Sequence, residues 1–219
     1  MTICRKHSLQ YAALFASLAF SAYTLASGAL AQQMGSQPPA AQNRPAPTVT
    51  GAVKNFYNGV KNNVIRSGEK MPEEFYGLRP GTQEEVRTFG QQLSHIARYN
   101  YLWCAEARGE ANPNAATDLE KTLKGKDEIL KSLRASFDYC DVPFNALNEG
   151  NASEVLTITQ ESGRQVQQTR AGLLMLDLVH TEEVYGSIVT TLRIKNIVPP
   201  SSEPRPQRTE QPQKEPNLQ

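Results

Sequence analysis

The sequence predicts an all-α protein, a four-helix bundle with a long crossover between its third and fourth helices and disordered segments at both ends. Three observations carry this expectation. Apolar residues between positions 50 and 198 recur at steps of three and four almost throughout, the period of a helix with one buried face. No pair of alternating segments argues for a sheet. The two ends are rich in Pro, Gln, Ala and Ser and carry few residues to bury, a composition that cannot offset the entropy of ordering the chain.

The chain has 219 residues, 23 basic and 22 acidic groups, three Cys and three His. A formal charge of +1 gives no electrostatic footprint for nucleic acid, so nucleic acid is excluded as a partner. Arg5, Lys6 and His7, with no acid, precede an apolar run from Tyr11 to Ala26, and Ala29-Leu-Ala31 follows. A positive segment, an apolar segment and a small-x-small ending together predict an export signal over 1–31, cleaved after Ala31. The protein is then exported, to a bacterial periplasm or the medium, and keeps no permanent membrane span. Cleavage leaves 21 basic against 22 acidic groups, with Cys104, Cys140, His95 and His180 as the remaining Cys and His residues. In an oxidising compartment two such cysteines either pair or stay as buried thiols, and the residues do not choose between these.

Residues 32–48 read as a disordered spacer, 49–198 as the bundle and 199–219 as a disordered tail. The first helix is expected from about Thr50 to Ser67, with Val53, Phe56, Val60 and Val64 inward, ending before Met71-Pro72. Thr88-Phe-Gly-Gln91 has the form of a capping box. It opens a second helix with Phe89, Leu93, Ile96, Asn100, Trp103 and Ala107 inward, stopped by Gly109. Asp127 and Glu128 suit the first turn of a third helix, whose inner seam is Leu130, Leu133, Phe137, Cys140, Phe144 and Leu147. Pro143 predicts a kink or break between Tyr139 and Pro143. Asn148 to Gly163 is the crossover, with a short extended piece at Val155-Leu-Thr-Ile158. The fourth helix is expected from Arg164 to Asn196. Leu173, Leu174, Met175, Leu176, Leu178 and Val179 leave its middle almost no polar face, which predicts a helix buried all round.

No Gly-rich phosphate loop, Cys-x-x-Cys or Gly-x-Ser-x-Gly occurs, so nucleotide, redox-dithiol and serine-hydrolase chemistry lack their sequence signals. Four segments carry a resemblance instead: Arg87-Thr-Phe-Gly-Gln-Gln-Leu-Ser-His-Ile-Ala97, Tyr101-Leu-Trp-Cys104, Ser136-Phe-Asp-Tyr-Cys140 and His180-Thr-Glu-Glu-Val-Tyr-Gly-Ser-Ile-Val-Thr-Thr-Leu-Arg-Ile-Lys-Asn-Ile-Val-Pro-Pro200. Over residues 50–205 the chain resembles the DinB-like superfamily. The resemblance implies a four-helix bundle that holds a divalent metal, nickel or zinc, on one His of the second helix and a His-x-x-x-His pair of the fourth. It also implies thiol-dependent transferases and isomerases among the family's activities.

Carried over, the ligands are His95 and His180, and the third position is Val184. An isopropyl group offers no electron pair, so the implied set is incomplete, and a zinc or nickel cofactor is in doubt for that reason. At ~100° per residue Asp177 and Glu183 each project ~60° from His180, on opposite sides. Either could serve as a third ligand from a carboxylate; the alternative is that the acids are ordinary solvated charges. Tyr185 and Gly186 also match the family pattern, Gly186 being expected to admit a neighbouring helix closely. Two functions follow. One is a non-catalytic exported bundle that binds a small molecule or a protein; the other is a divalent-metal-dependent enzyme of transferase, isomerase or hydrolase type. A homodimer is compatible with either.

Overall fold

The computed structural model describes residues 46–160 and 162–204. The expected export signal, most of the spacer and the tail beyond 204 lie outside the described residues. Four long helices form the bundle: α1 (Val49–Lys70), α2 (Phe89–Arg108), α4 (Lys126–Ala146) and α5 (Arg170–Ile194), with a single turn, α3 (Leu119–Thr122), between α2 and α4. Helices α1 and α2 each pack against both α4 and α5, so the core lies where the four meet. Among the described residues no helix is long and apolar enough to cross a membrane.

Helix α1 starts where the Thr48 hydroxyl accepts the Gly51 N–H at 3.0 Å, and it runs a turn beyond its expected end. Its inner stripe is Val53, Tyr57, Val60 and Val64, whereas Phe56 is 67% exposed. Steps of four, three and four keep that stripe on one face. The Tyr57 ring stacks on Phe144 at 3.8 Å between centroids, and its hydroxyl donates to the Phe137 carbonyl and Asp141, partners that Phe56 could not use. On α2 the capping box forms: Gln91 N–H donates to the Thr88 hydroxyl and Thr88 N–H to the Gln91 side chain. Gly109 closes the helix at φ 70°, a left-handed conformation that glycine adopts without strain.

Of the kink or break expected at Pro143, the break does not occur: α4 runs through it. The proline sits in the last turn, so its missing N–H deprives the Tyr139 carbonyl alone and the helix ends three residues later at Ala146. The seam from Leu130 to Leu147 is buried throughout. Within it Cys104 of α2 and Cys140 of α4 form a disulfide, with Cα atoms 5.3 Å apart.

The crossover is more structured than its composition suggests. Strands β1 (Val155–Thr159) and β2 (Gln165–Thr169) pair antiparallel, Val155 opposite Thr169 and Thr159 opposite Gln165. Residues 165–169 were expected in the fourth helix; the Thr169 hydroxyl instead caps α5 by accepting the Gly172 N–H at 3.1 Å. Nor is α5 buried all round. Leu173, Leu174, Leu178, Ile188 and Leu192 face the core, while Met175, Leu176 and Val179 are 45%, 40% and 62% exposed. The polar Asp177, Thr181 and Thr191 are buried in their place. Past Val198 the chain stays packed. Pro200 is buried, the Tyr185 hydroxyl meets the Ser201 hydroxyl at 3.0 Å, and Glu203 pairs with Arg66 and Lys70 of α1.

Candidate functional site

Helices α2 and α5 bring His95 and His180 together, with ring centroids 5.0 Å apart. His95 is nearly fully buried. Its Nδ1 lies 2.6 Å from Oε1 of Glu120 on α3. A carboxylate oxygen can only accept, so Nδ1 carries the proton of this bond. Arg87 Nε holds the other Glu120 oxygen at 2.6 Å. Burial alone would push the Glu120 carboxyl up, but the hydrogen bonds from His95 and Arg87 outweigh it and leave the group below the usual carboxylate range.

His180 is enclosed by aromatic rings. Tyr99 lies 4.7 Å and Trp103 5.1 Å from it between centroids, and Tyr99 contacts His95 and Trp103 as well. The Nε2 atom of His180 is buried with no hydrogen-bond partner. Burial, and then the neighbouring His95, hold its pKa below the ordinary imidazole value, against the charge of Glu183, which favours the neutral ring. Glu120, Tyr99 and Trp103 escaped the sequence reading as site residues. Trp103 stands on the predicted inner stripe but is half-buried. Glu120 belongs to a short helix that no long periodic segment announces.

Glu183 is exposed and its charge acts on His180, but its carboxylate does not converge with both histidines. Asp177 is fully buried beside the disulfide. The Asn100 amide nitrogen donates to its Oδ1 at 3.2 Å, while the Asn100 oxygen accepts from the Ser136 hydroxyl. Val184 is half-buried and packs on the core. Among the described residues, the one set of three His, Cys, Asp or Glu donor atoms that converges is Cys104, Cys140 and Asp177. Both of its sulfurs are spent in the disulfide, which leaves no thiolate to bind an ion. As arranged, no third His, Cys, Asp or Glu donor among the described residues converges with His95 and His180. Gly186 admits no close helix either, since a Cβ there would meet nothing within 4 Å.

The sequence profile of the DinB superfamily matches residues 62–182, more than half of the chain. The protein belongs to the DinB superfamily. The matched stretch contains both histidines and Glu120 and stops before Val184. The fold of this DinB-superfamily chain is similar to that of a DinB-like protein from Bacillus subtilis, with a TM-score of 0.51 at 16% identity over 66% of this chain and 92% of that one. It is also similar to a conserved protein from Enterococcus faecalis, with a TM-score of 0.54 at 14% identity over 68% and 98% of the two chains. No curated protein matches the chain.

Proposed function

We propose that this DinB-superfamily protein is an exported small-molecule-binding bundle whose metal site is degraded, with Val184 in place of a third ligand. The observation that carries the reading is the environment of the two histidines. His95 is held by Glu120, His180 is walled by Tyr99 and Trp103, and neither Asp177 nor Glu183 converges with the two rings. Two imidazoles hold a divalent ion weakly compared with a three-donor set. Export to an oxidising compartment is supported by the apolar, positively led N-terminus and by the Cys104–Cys140 bridge, since such bridges persist mainly outside the reducing cytosol.

A second reading, a divalent-metal-dependent enzyme of transferase, isomerase or hydrolase type, is favoured by one atom. The unpartnered, buried Nε2 of His180 is a donor that an ion would satisfy, and a carboxylate on Nδ1 of His95 is the kind of partner that orients a metal-binding ring. Metal content by mass spectrometry of the tag-free mature protein and of Val184→His separates the two. The wild type is expected to hold far less than one ion per chain, and the variant to gain affinity for zinc or nickel. A tightly held ion near one per chain in the wild type overturns the binding-bundle reading. A variant that holds none overturns the placement of the third ligand at Val184.

A further inference from the structure

Beside the histidine pair a cavity of about 320 Å³ opens between α2, the β-hairpin and α5. Tyr99, Trp103 and Glu106 line it from α2, Ile158 from the hairpin and Leu176 from α5. Tyr99 and Trp103 are 4.8 Å apart between ring centroids, and they form the wall shared with His180. Glu106 is the one charged residue among the described residues that line the cavity. Burial pushes its carboxyl up, opposed by the nearby Thr159 backbone amide, and no cation among the described residues is recorded as acting on it.

We infer that this cavity binds an organic ammonium ion, with Trp103 and Tyr99 as its aromatic walls and Glu106 as its counter-charge. Aromatic faces attract a cation through their negative quadrupole, most strongly where water is displaced. A half-buried carboxylate with no basic partner among the described residues gains most from a ligand that brings a positive charge. An anionic ligand would meet Glu106, while Arg98, 5.2 Å from the Tyr99 centroid, is not among the residues that line the cavity and faces Glu120. A neutral apolar ligand would fill the cavity but further desolvate the carboxylate without pairing it. Leu102, Ile158 and Leu176 suit the methyl groups of an alkylated ammonium, a weakly hydrated cation, better than a bare metal ion. The inference rests on the small-molecule reading above and names the class of ligand.

Trp103 is the single tryptophan of the chain, so its fluorescence reports on this cavity and on the adjoining His180. The mature protein is titrated with choline and, separately, with 3,3-dimethylbutan-1-ol, its uncharged isostere, at constant ionic strength. Titration calorimetry is run in parallel, and circular dichroism checks that each variant is folded. Choline is expected to give a saturable change in fluorescence, the isostere none over the same range, and Glu106→Gln to weaken choline binding by about tenfold or more. Trp103→Phe, followed by calorimetry, is expected to weaken it without abolishing it. The absence of saturable choline binding overturns the inference. So does equal binding of the uncharged isostere, or unchanged affinity in a folded Glu106→Gln variant. These outcomes are independent of metal content: failure of choline in a metal-free protein removes the ligand class alone, whereas a stoichiometric ion removes the broader reading whatever choline does.

Discussion

The Nδ1 atom of His95 and the Oε1 atom of Glu120 lie 2.6 Å apart, which ties the one-turn helix α3 to the middle of α2. Glu120→Ala removes this bond and the pair with Arg87 together. It is expected to cost about 2 kcal/mol, the range for a hydrogen bond to a charged, mostly buried group, read as a lowered urea midpoint at neutral pH. Because the folded carboxyl titrates below its ordinary value, its contribution is present above the usual carboxylate range and is lost as pH falls through the folded pKa. The difference between wild type and variant should therefore shrink on acidification.

Asp177 has the opposite sign. Burial pushes its carboxyl up to about 7, so the folded protein holds the proton that the unfolded chain releases near pH ~4. Stability from this group is complete below pH ~4, declines as pH rises to about 7, and is flat above that. Asp177→Asn keeps an acceptor for the Asn100 amide and carries no charge. It is expected to be more stable than the wild type by roughly 2–4 kcal/mol at pH ~8 and nearly equal to it at pH ~4. Denaturation curves across that window check the slope; an equal loss at both pH values would contradict the sign.

The disulfide between Cys104 and Cys140 spans 36 residues of sequence and closes the loop that contains α3. Replacing both cysteines by alanine is expected to lower stability by about 4 kcal/mol through the freedom regained by the unfolded chain. Thermal melts of the variant, and of the wild type after reduction under denaturing conditions, should agree.

Two glycines on long helices should respond in opposite directions to alanine. A Cβ on Gly68 would lie 2.6 Å from a Leu130 methyl and 3.1 Å from one of Leu93, so Gly68→Ala forces the seam between α1, α2 and α4 apart, at a cost of about 1–3 kcal/mol. At Gly186 a Cβ meets open space, and alanine is expected to add about 1 kcal/mol through helix propensity. Melting temperatures of the two variants give the comparison directly.

The sequence made the bundle legible where helical periodicity and capping chemistry coincide, as at Thr88, Gly109 and the Leu130–Leu147 seam. It misled where partners lie far along the chain. Gln165 to Thr169 has little to bury and reads as the start of a helix until β1 pairs with it. Phe56 and Tyr57 are equally apolar by spacing, and the choice falls to a hydroxyl that reaches Asp141. The apolar run in α5 hid a division into core and surface, because Asp177 inside and Val179 outside both contradict simple burial. At the candidate site the meeting of His95 and His180 was foreseeable only through resemblance. Glu120, 25 residues from His95, had no local signal that could place it there.

The hairpin supplies Ile158, Thr159, Gln160 and Ser162 to the cavity wall, yet among its described residues Ile158 alone belongs to the buried core. The cavity thus takes one wall from a stretch that adds little to the core and the other from the bundle itself. Exchanging residues 155–168 for another short antiparallel pair, with the Thr169 cap of α5 kept, would alter one wall and leave Tyr99, Trp103 and Glu106 in place, which makes the hairpin a variable rim on a fixed frame.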